Sequence, residues 1–160
     1  MNSIMYHPIG IISSPFNDTN NTPIQPSSAK GTKGSIVIFP EFADGLKGIE
    51  GFTHLIIIYH FHRANGFKLQ VSPFLDDEEY GVFATRAPKR PNGIGLSIVK
   101  LVKMEGRTIY IENIDALNGT PLLDIKPYVP QFNNVRNVKI GWLTSKKDKI
   151  KTQKSDSRFD

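Results

Sequence analysis

The chain has 160 residues, 39% of them hydrophobic and 22% charged, which fits one soluble domain large enough to bury a core. It contains no cysteine, which excludes disulfides, thiolate metal sites and a cysteine nucleophile, and no apolar run approaches the roughly 18 residues of a membrane span. The formal net charge of +5 permits a nucleic-acid partner without requiring one. The start of the chain has no signal-peptide pattern, so we expect a cytoplasmic protein.

The first part of the chain predicts two strands, a long polar loop and one short helix. Apolar runs at residues 9–12 and 34–39 indicate the strands. The loop between them, residues 17–28, is rich in Asn, Thr, Pro and Ser, and loops of this length tend to be functional or disordered. Pro40 suits the first turn of a helix. That helix would present three apolar side chains at helical spacing: Phe42, Leu46 and Ile49.

The most apolar run of the chain extends from Thr53 to Phe61 and predicts a central strand buried on both faces. His60 and His62 lie two residues apart at its end, and alternate residues of a strand share a face, so a metal pair is conceivable. A metal site needs further ligands, and no additional cluster of His, Cys and carboxylate is evident. We therefore predict no metal and interpret His54 and His60 as hydrogen-bonded histidines of the core or its rim.

A stiff basic loop follows the solvated connection at residues 64–80. Its sequence from Gly81 to Ser97 is Gly-Val-Phe-Ala-Thr-Arg-Ala-Pro-Lys-Arg-Pro-Asn-Gly-Ile-Gly-Leu-Ser. The opening residues are strand formers, and strand character returns over residues 96–102. Two prolines stiffen the backbone between, and the glycines allow positive φ or close backbone approach. The loop carries three cations: Arg86, Lys89 and Arg90. Either it binds an anionic or carboxylate-bearing ligand, or it is a hairpin with a solvated basic turn.

A second polar motif follows the clean alternation of apolar residues at 108–114, which predicts another strand. Asp115 stands at the end of that strand, a usual place for a ligand-binding carboxylate. The turn dipeptide Asn118-Gly119 and the stiff pair Thr120-Pro121 come next. Residues 135–142 predict a last strand. Beyond residue 143 the chain is polar and rich in lysine, so we predict one domain over residues 1–143 and a disordered tail over 144–160.

These elements together predict a mainly β fold. Six or seven strands, one convincing short helix and many Gly and Pro turns favour a single-domain β-barrel with one or a few short helices. No Gly-rich turn of the G-x-G-x-x-G type follows the first strand, which argues against a doubly wound nucleotide-binding fold.

The two polar motifs resemble the signature segments of the TrmO-like family, the S-adenosyl-L-methionine-dependent tRNA methyltransferases. The family's first segment runs Gly-Val-Phe-Ala-Thr-Arg, a variable pair, Arg-Pro-Asn, then a Gly-bounded Ile and a Ser; this chain has Gly93 where Pro is common. The second runs Asp-x-x-Asp-Gly-Thr-Pro-x-x-Asp-Ile-Lys-Pro-Tyr, with Asn118 in place of a frequent Asp. Weaker likenesses lie at residues 23–26 and around Leu46. The resemblance covers residues 4–143, and longer family members carry a C-terminal domain that would begin where this chain ends.

The resemblance implies a β-barrel methyltransferase that acts as a homodimer, binds S-adenosyl-L-methionine near the subunit interface and methylates N6 of threonylcarbamoyladenosine beside the tRNA anticodon. It implies donor contacts from Gln25, Pro26, Ser27, His62, Arg63, Arg86, Leu96, Asp115, Asn118, Gly119, Thr120 and Pro121. The catalytic candidates are Arg86 together with Asp115 or His62 as a base. Lys89, Arg90 and Lys126 are candidates for RNA phosphates. The alternative is a non-catalytic S-adenosyl-L-methionine-binding or RNA-binding module, which would bind its ligand without methyl transfer.

Overall fold

The computed structural model describes residues 3–19, 29–132 and 135–146. Eight strands lie in these ranges: β1 (Gly10–Ser13), β2 (Lys33–Ile38), β3 (His54–His60), β4 (Gln70–Val71), β5 (Tyr80–Gly81), β6 (Ile94–Glu105), β7 (Thr108–Glu112) and β8 (Thr120–Pro127). The predicted donor contacts Gln25, Pro26 and Ser27, and residues 147–160 of the predicted tail, lie outside the described residues.

Six of the strands close into a barrel in the order β1-β2-β7-β6-β3-β8, and every neighbouring pair is antiparallel. The longest ladder joins β3 to β6, from His54 opposite Lys100 to His60 opposite Ile94. The short pair β4 and β5 forms a separate two-stranded sheet beside the barrel. The prediction of a mainly β barrel is confirmed.

The core lies inside the barrel, because each strand turns alternate side chains inward. Leu55, Ile57 and Tyr59 of β3 are buried, whereas Ile56 and Ile58 between them are only partly buried on the outer wall. The prediction that this strand is buried on both faces is therefore wrong. A single closed barrel has one inner face, and no layer within the described residues covers the outer side of β3.

The predicted short helix consists of two 3₁₀ helices, Pro40–Leu46 and Ile49–Gly51. Gly48 separates them with a φ of 87°, a left-handed conformation that ends the first helix cleanly. Leu46 is buried against the barrel core, while Phe42 on the predicted apolar face stays 40% exposed.

Two further predictions of strands are wrong. Residues Val82–Ala84 form a 3₁₀ helix, in which the Thr85 hydroxyl donates a hydrogen bond back to the Val82 carbonyl at 2.9 Å. Residues 135–140 have no regular structure, and Gly141–Lys146 forms another 3₁₀ helix, so the first three residues of the predicted tail are helical. A closed barrel offers no free edge, since β8 already pairs with both β1 and β3.

The antiparallel order places six chain segments at the same end of the barrel. Strands β1, β3 and β7 finish there, and strands β2, β6 and β8 begin there. The two signature motifs enter the barrel wall at this end, because they precede β6 and β8. Among the described residues, no helix is long and apolar enough to cross a bilayer.

Candidate active site

A cavity of about 800 Å³ opens at the end of the barrel where β6 and β8 begin. It lies among the end of β3, the proline-rich loop before β6 and the segment after β7. The structure brings seven of the predicted site residues together in its lining: His62, Arg63, Arg86, Arg90, Leu96, Asp115 and Thr120. These residues come from four separate parts of the chain, so the closure of the barrel is what assembles them.

The end of β3 is fastened to the glycines that open β6. The backbone N–H of Phe61 donates to the Gly93 carbonyl at 2.7 Å, and His60 Nδ1 lies 3.1 Å from the same oxygen. His62 then lies over the start of β8, with its Nδ1 atom 3.3 Å from the Thr120 hydroxyl. Burial, with the nearby Arg63 and His60, lowers the pKa of His62 below its ordinary value. The His62 imidazole is therefore mainly neutral at pH 7.

The proline-rich loop is braced by its own side chains. Arg90 donates from Nη1 to the carbonyls of Thr85 at 3.2 Å and Ala87 at 3.1 Å. This guanidinium therefore holds the shape of the loop, although the sequence predicts an RNA contact for it. Arg86, four residues earlier in the chain, lines the cavity and forms no ion pair within the described ranges. Its charge is left for a ligand.

Asp115 follows β7 and meets β6 inside the cavity. Ser97 donates its hydroxyl hydrogen to the Asp115 Oδ1 atom at 2.5 Å, and the Tyr59 hydroxyl lies 3.0 Å from the Ser97 oxygen. Burial raises the pKa of Asp115 to about 6, against the opposing effects of the Ser97 hydrogen bond and the Arg86 charge. The carboxyl group is thus mostly ionised at pH 7, with a basicity close to that pH.

Aromatic side chains form much of the outer cavity wall. Phe83 is 76% exposed at the mouth of the cavity, although its neighbour Val82 is buried. Trp142 donates from Nε1 to the Ala84 carbonyl at 2.9 Å, and its ring stacks on Tyr80 with centroids 4.9 Å apart. The 3₁₀ helix Gly141–Lys146 therefore closes one side of the site, where the sequence predicts the end of a strand and a tail.

The residues that line or support the cavity and that sequence reasoning missed include Tyr59, Ser97, Phe83 and Trp142. Phe83 and Ser97 belong to the signature segment, so an exposed aromatic and a strand hydroxyl beside a ligand loop were available signals. Nothing local indicates that Tyr59 meets Ser97, 38 positions away, because that contact follows from the β3–β6 register.

Other predicted site residues lie outside the cavity lining. Asn118 donates to the Asn17 side chain at 3.2 Å and accepts from the Ser14 N–H at 3.3 Å, so it joins β1 to β8. Gly119 has a φ of 76°, as its turn requires, and Pro121 pairs with Ile11 in the barrel wall. Lys89 also lies outside the lining.

Lys126 is distant from the cavity. It lies near the far end of β8, six residues after Thr120, a separation of roughly 20 Å along a strand. Its ammonium group is 2.7 Å from the Asp124 carboxylate.

The histidines near β3 are engaged in hydrogen bonds, as interpreted from the sequence. His54 Nδ1 lies 3.0 Å from the Thr53 hydroxyl, and His60 bonds to Gly93. Within residues 3–19, 29–132 and 135–146, no group of three or more His, Asp and Glu side chains is placed to hold a metal ion.

The fold and the cavity define a class: a small antiparallel barrel with a cationic, partly aromatic pocket at one end, built for a small polar ligand that carries an anionic group. The profile of the family described as "tRNA-methyltransferase O N-terminal domain" matches residues 11–134. The chain therefore belongs to this family, which confirms the resemblance seen in its motifs.

Individual relatives agree with this assignment. The chain is 54% identical over 156 residues to a "Probable S-adenosyl-L-methionine-binding protein" of Pyrococcus abyssi, covering 98% of this chain and 85% of that protein. It is 40% identical over 144 residues to the human "tRNA (adenine(37)-N6)-methyltransferase", covering 85% of this chain but only 32% of the human protein.

A solved structure of the same type supports the fold. The crystal structure of TrmO from Pseudomonas aeruginosa superposes with a TM-score of 0.74 at 38% sequence identity. The match covers 88% of this chain and 62% of that chain. The chain thus spans about a third of the human relative and under two thirds of the solved bacterial one.

Proposed function

We propose that the chain is an S-adenosyl-L-methionine-dependent tRNA methyltransferase that methylates N6 of threonylcarbamoyladenosine beside the anticodon. The observation that carries the proposal is the single cavity that unites an unpaired Arg86, a mainly neutral His62 and an Asp115 with a pKa of about 6. The family profile and the adenine-37 methyltransferase named among the relatives support the same activity. A tRNA substrate is consistent with a cytoplasmic location.

The residues of the cavity fit the methyl donor. Its volume of about 800 Å³ lies in the range of small-molecule sites. Arg63 and Arg86 offer cations for the donor carboxylate, whereas Asp115 and Thr120 offer oxygens for its ribose hydroxyls. Leu96 offers apolar surface for its adenine. S-adenosyl-L-methionine supplies, when bound, an electrophilic methyl group on a sulfonium.

The acceptor explains why a base belongs in this cavity. The target nitrogen carries a carbonyl group, so its lone pair is delocalised and the nitrogen must lose a proton. Asp115 is placed to receive that proton, because a carboxylate with a pKa of about 6 is ionised yet basic at pH 7. His62 is the second candidate, since its neutral ring faces the same cavity. The remaining requirement is alignment of donor and acceptor in one line.

We assign tRNA phosphates first to Lys89, which lies on the loop that forms the cavity wall. Arg90 braces that loop through two carbonyls. The exposed aromatic ring of Phe83, which also lines the cavity, suits an unstacked base.

A homodimer is supported by an apolar patch on the outer barrel wall. Ile58 faces Leu96 and Ile56 faces Ile98 across the β3–β6 ladder, and these four side chains form the outer-wall patch. Leu96 is 49% exposed and Ile98 is 37% exposed. Contiguous apolar surface of this kind favours a protein partner. Because Leu96 also lines the cavity, a second subunit on the patch would lie beside the donor site.

The dimer is tested by Ile98→Lys, with Val37→Lys on the outer face of β2 as the matched control, since Val37 is 38% exposed. Light scattering after gel filtration should give twice the mass of one chain for the wild type and the control, and the mass of one chain for Ile98→Lys. A wild type that runs as one chain rules the dimer out.

The function itself is tested with Arg86→Ala, and Lys103→Ala at the opposite end of the barrel is the matched loss of a cation. Isothermal titration should give saturable binding of S-adenosyl-L-methionine to the wild type and to Lys103→Ala, and none to Arg86→Ala. Methyl transfer should follow the same pattern on tRNA that carries threonylcarbamoyladenosine, and fail on tRNA that lacks it. Donor binding without transfer in the wild type would identify a binding module instead.

A further inference from the structure

Three hydroxyl and carboxyl groups from β3, β6 and the segment after β7 form a continuous chain of hydrogen bonds. The Tyr59 and Ser97 oxygens are 3.0 Å apart, and the Ser97 oxygen is 2.5 Å from Asp115 Oδ1. Tyr59 and Ser97 are 5% and 1% exposed. Neither residue has a role in the donor or RNA contacts proposed above, yet both place hydroxyl groups in a barrel interior that is mainly aliphatic.

The direction of the hydrogen bonds follows from the supply of hydrogens. A serine has one hydroxyl hydrogen, and Ser97 donates it to the Asp115 carboxylate. The Tyr59 hydroxyl must then be the donor to Ser97. Burial raises the pKa of Tyr59, so this donor stays protonated throughout the physiological range. Both hydrogens therefore point toward Asp115, and each bond polarises and strengthens the next.

Gly95 shows that the barrel is built around the Tyr59 ring. A Cβ atom at Gly95 would collide with the Cε2 atom of Tyr59, and Gly95 is the residue opposite Tyr59 in the ladder. Gly95 has no positive φ, so its missing side chain serves this close approach and not a turn. One edge of the ring, from Cδ2 to Cζ, lies against the glycine, and the hydroxyl reaches Ser97, two residues further along β6.

We propose that Ser97, oriented by Tyr59, is a positioning residue that fixes the Asp115 carboxylate in the cavity and keeps it in the ionised, proton-accepting form. The inference rests on the proposed methyl transfer, in which Asp115 is the group that acts. The charged or titratable groups that act on this carboxyl or line the same cavity are Tyr59 from β3, Arg86 and Arg90 from the proline-rich loop, and His62 and Arg63 after β3. Ser97 is the group that donates a hydrogen bond to it from β6.

The experiment compares the full chain with Ser97→Ala, and Ser97→Thr retains the hydroxyl as the conservative control. The pKa of Asp115 is measured directly by carbon NMR of the labelled carboxyl group, without donor or tRNA. Ser97→Ala should raise that pKa by about one unit, because a hydrogen bond that favours the charged form is lost. Ser97→Thr should restore it.

Kinetics gives the second measurement. The acid limb of kcat/KM should move to higher pH in Ser97→Ala by the same amount, and kcat should fall by roughly tenfold while donor affinity changes much less. Tyr59→Phe keeps the ring over Gly95 and removes only the hydroxyl, so it should shift the limb in the same direction by a smaller amount. It also serves as the test if Ser97→Ala does not fold.

The possible failures are distinguishable. Folded Ser97→Ala with an unmoved Asp115 carboxyl titration would overturn the positioning role, as would an unmoved acid limb beside normal wild-type transfer. Absence of transfer in the wild type, with donor and modified tRNA present, would instead refute the proposed function.

Discussion

Each end of the barrel holds a cavity, and the two cavities differ in the chemistry of their lining residues. The larger one, about 800 Å³, is lined by three arginines, a histidine and a carboxylate. The smaller one, about 530 Å³, lies where β2 and β8 finish and is lined mainly by aliphatic and aromatic side chains beside the 3₁₀ helices. A cavity alone therefore does not identify the site in this fold.

What separates the ends is the setting of their charged groups, because Glu41 and Lys47 at the smaller cavity are exposed whereas Asp115 at the larger one is partly buried. None of the ion pairs in the described ranges involves a residue that lines the larger cavity. At the smaller cavity, Asp124 is paired with Lys126 on the same strand. We therefore propose that the larger cavity is the functional one, because a partly desolvated carboxylate is costly to fold and cations without an ion-pair partner are available to a ligand.

The sharpest test of this contrast replaces one carboxylate by an amide at each end of the barrel, in two separate variants. Asp115→Asn should lower methyl transfer by about 10²–10⁴-fold, the usual contribution of a general base. Asp124→Asn should leave transfer unchanged, because this carboxylate binds only the exposed Lys126 and the neighbouring Ile125 N–H, far from the larger cavity. Single-turnover assays on both variants check the difference, and equal loss in both would remove the distinction between the ends.

Asp115→Asn should make the folded protein more stable, even though it lowers methyl transfer. The pKa of Asp115 is raised in the folded protein, so the folded state binds a proton more tightly than the unfolded chain, and stability falls as pH rises through about 6. Asparagine removes the charge that burial disfavours. Asp115→Asn should therefore raise the urea midpoint at pH 7 although it strongly lowers transfer.

The pH dependence of the wild type gives the next largest effect. With Asp115 as the base, kcat/KM should fall about tenfold per pH unit below pH 6 and be level above it, because the carboxylate is the active form. If the weak residual activity of Asp115→Asn kept the same acid limb, the titrating group would be another one, and His62 would become the base.

The sequence predicts the barrel and half of the site for physical reasons that can be named. Strand β7 could be predicted because inward and outward side chains alternate along its whole length. Strand β6 could be predicted because strand-forming residues begin where the signature segment ends. His62, Arg63, Arg86 and Asp115 could be placed together because each stands at a strand end or on a stiff loop. The resemblance to the family supplied the roles of the predicted residues that line the cavity.

The errors arise where distant contacts decide the structure. Residues 135–142 contain strand formers, but the closed barrel leaves them no partner. Tyr59 belongs to a run that looks uniformly apolar, so nothing in the local sequence marks its hydroxyl as part of the site. The β3–β6 register is what places Ser97 beside it. Local propensity predicts the secondary structure that a segment favours. Barrel closure and strand register depend on other segments, so one segment alone cannot predict them.

A pair of glycines tests the packing at the functional end. Gly95→Ala should destabilise the protein by about 1–3 kcal/mol, because the new methyl group must displace the Tyr59 ring. Gly45→Ala is the control near the smaller cavity, where nothing lies within 4 Å of the added Cβ atom. Its effect should stay within about 0.5 kcal/mol. Urea unfolding measures both, and comparable values would mean that Tyr59 is not held against Gly95.

The smallest expected effect concerns Lys126, for which the sequence predicts a phosphate contact and the structure gives a different setting. The Lys126 side chain is 58% exposed, paired with Asp124, and at the far end of β8 from the cavity. Exposed pairs contribute about 0–1 kcal/mol, so Lys126→Ala should hardly change the urea midpoint.

Lys89→Ala, on the cavity-side loop, should weaken tRNA binding and lower its salt dependence by about one counterion. Fluorescence titrations of labelled tRNA at several salt concentrations compare the two. If Lys126→Ala reduced the salt dependence as much as Lys89→Ala, the tRNA would extend along the whole barrel wall and the division between its ends would hold for the donor alone.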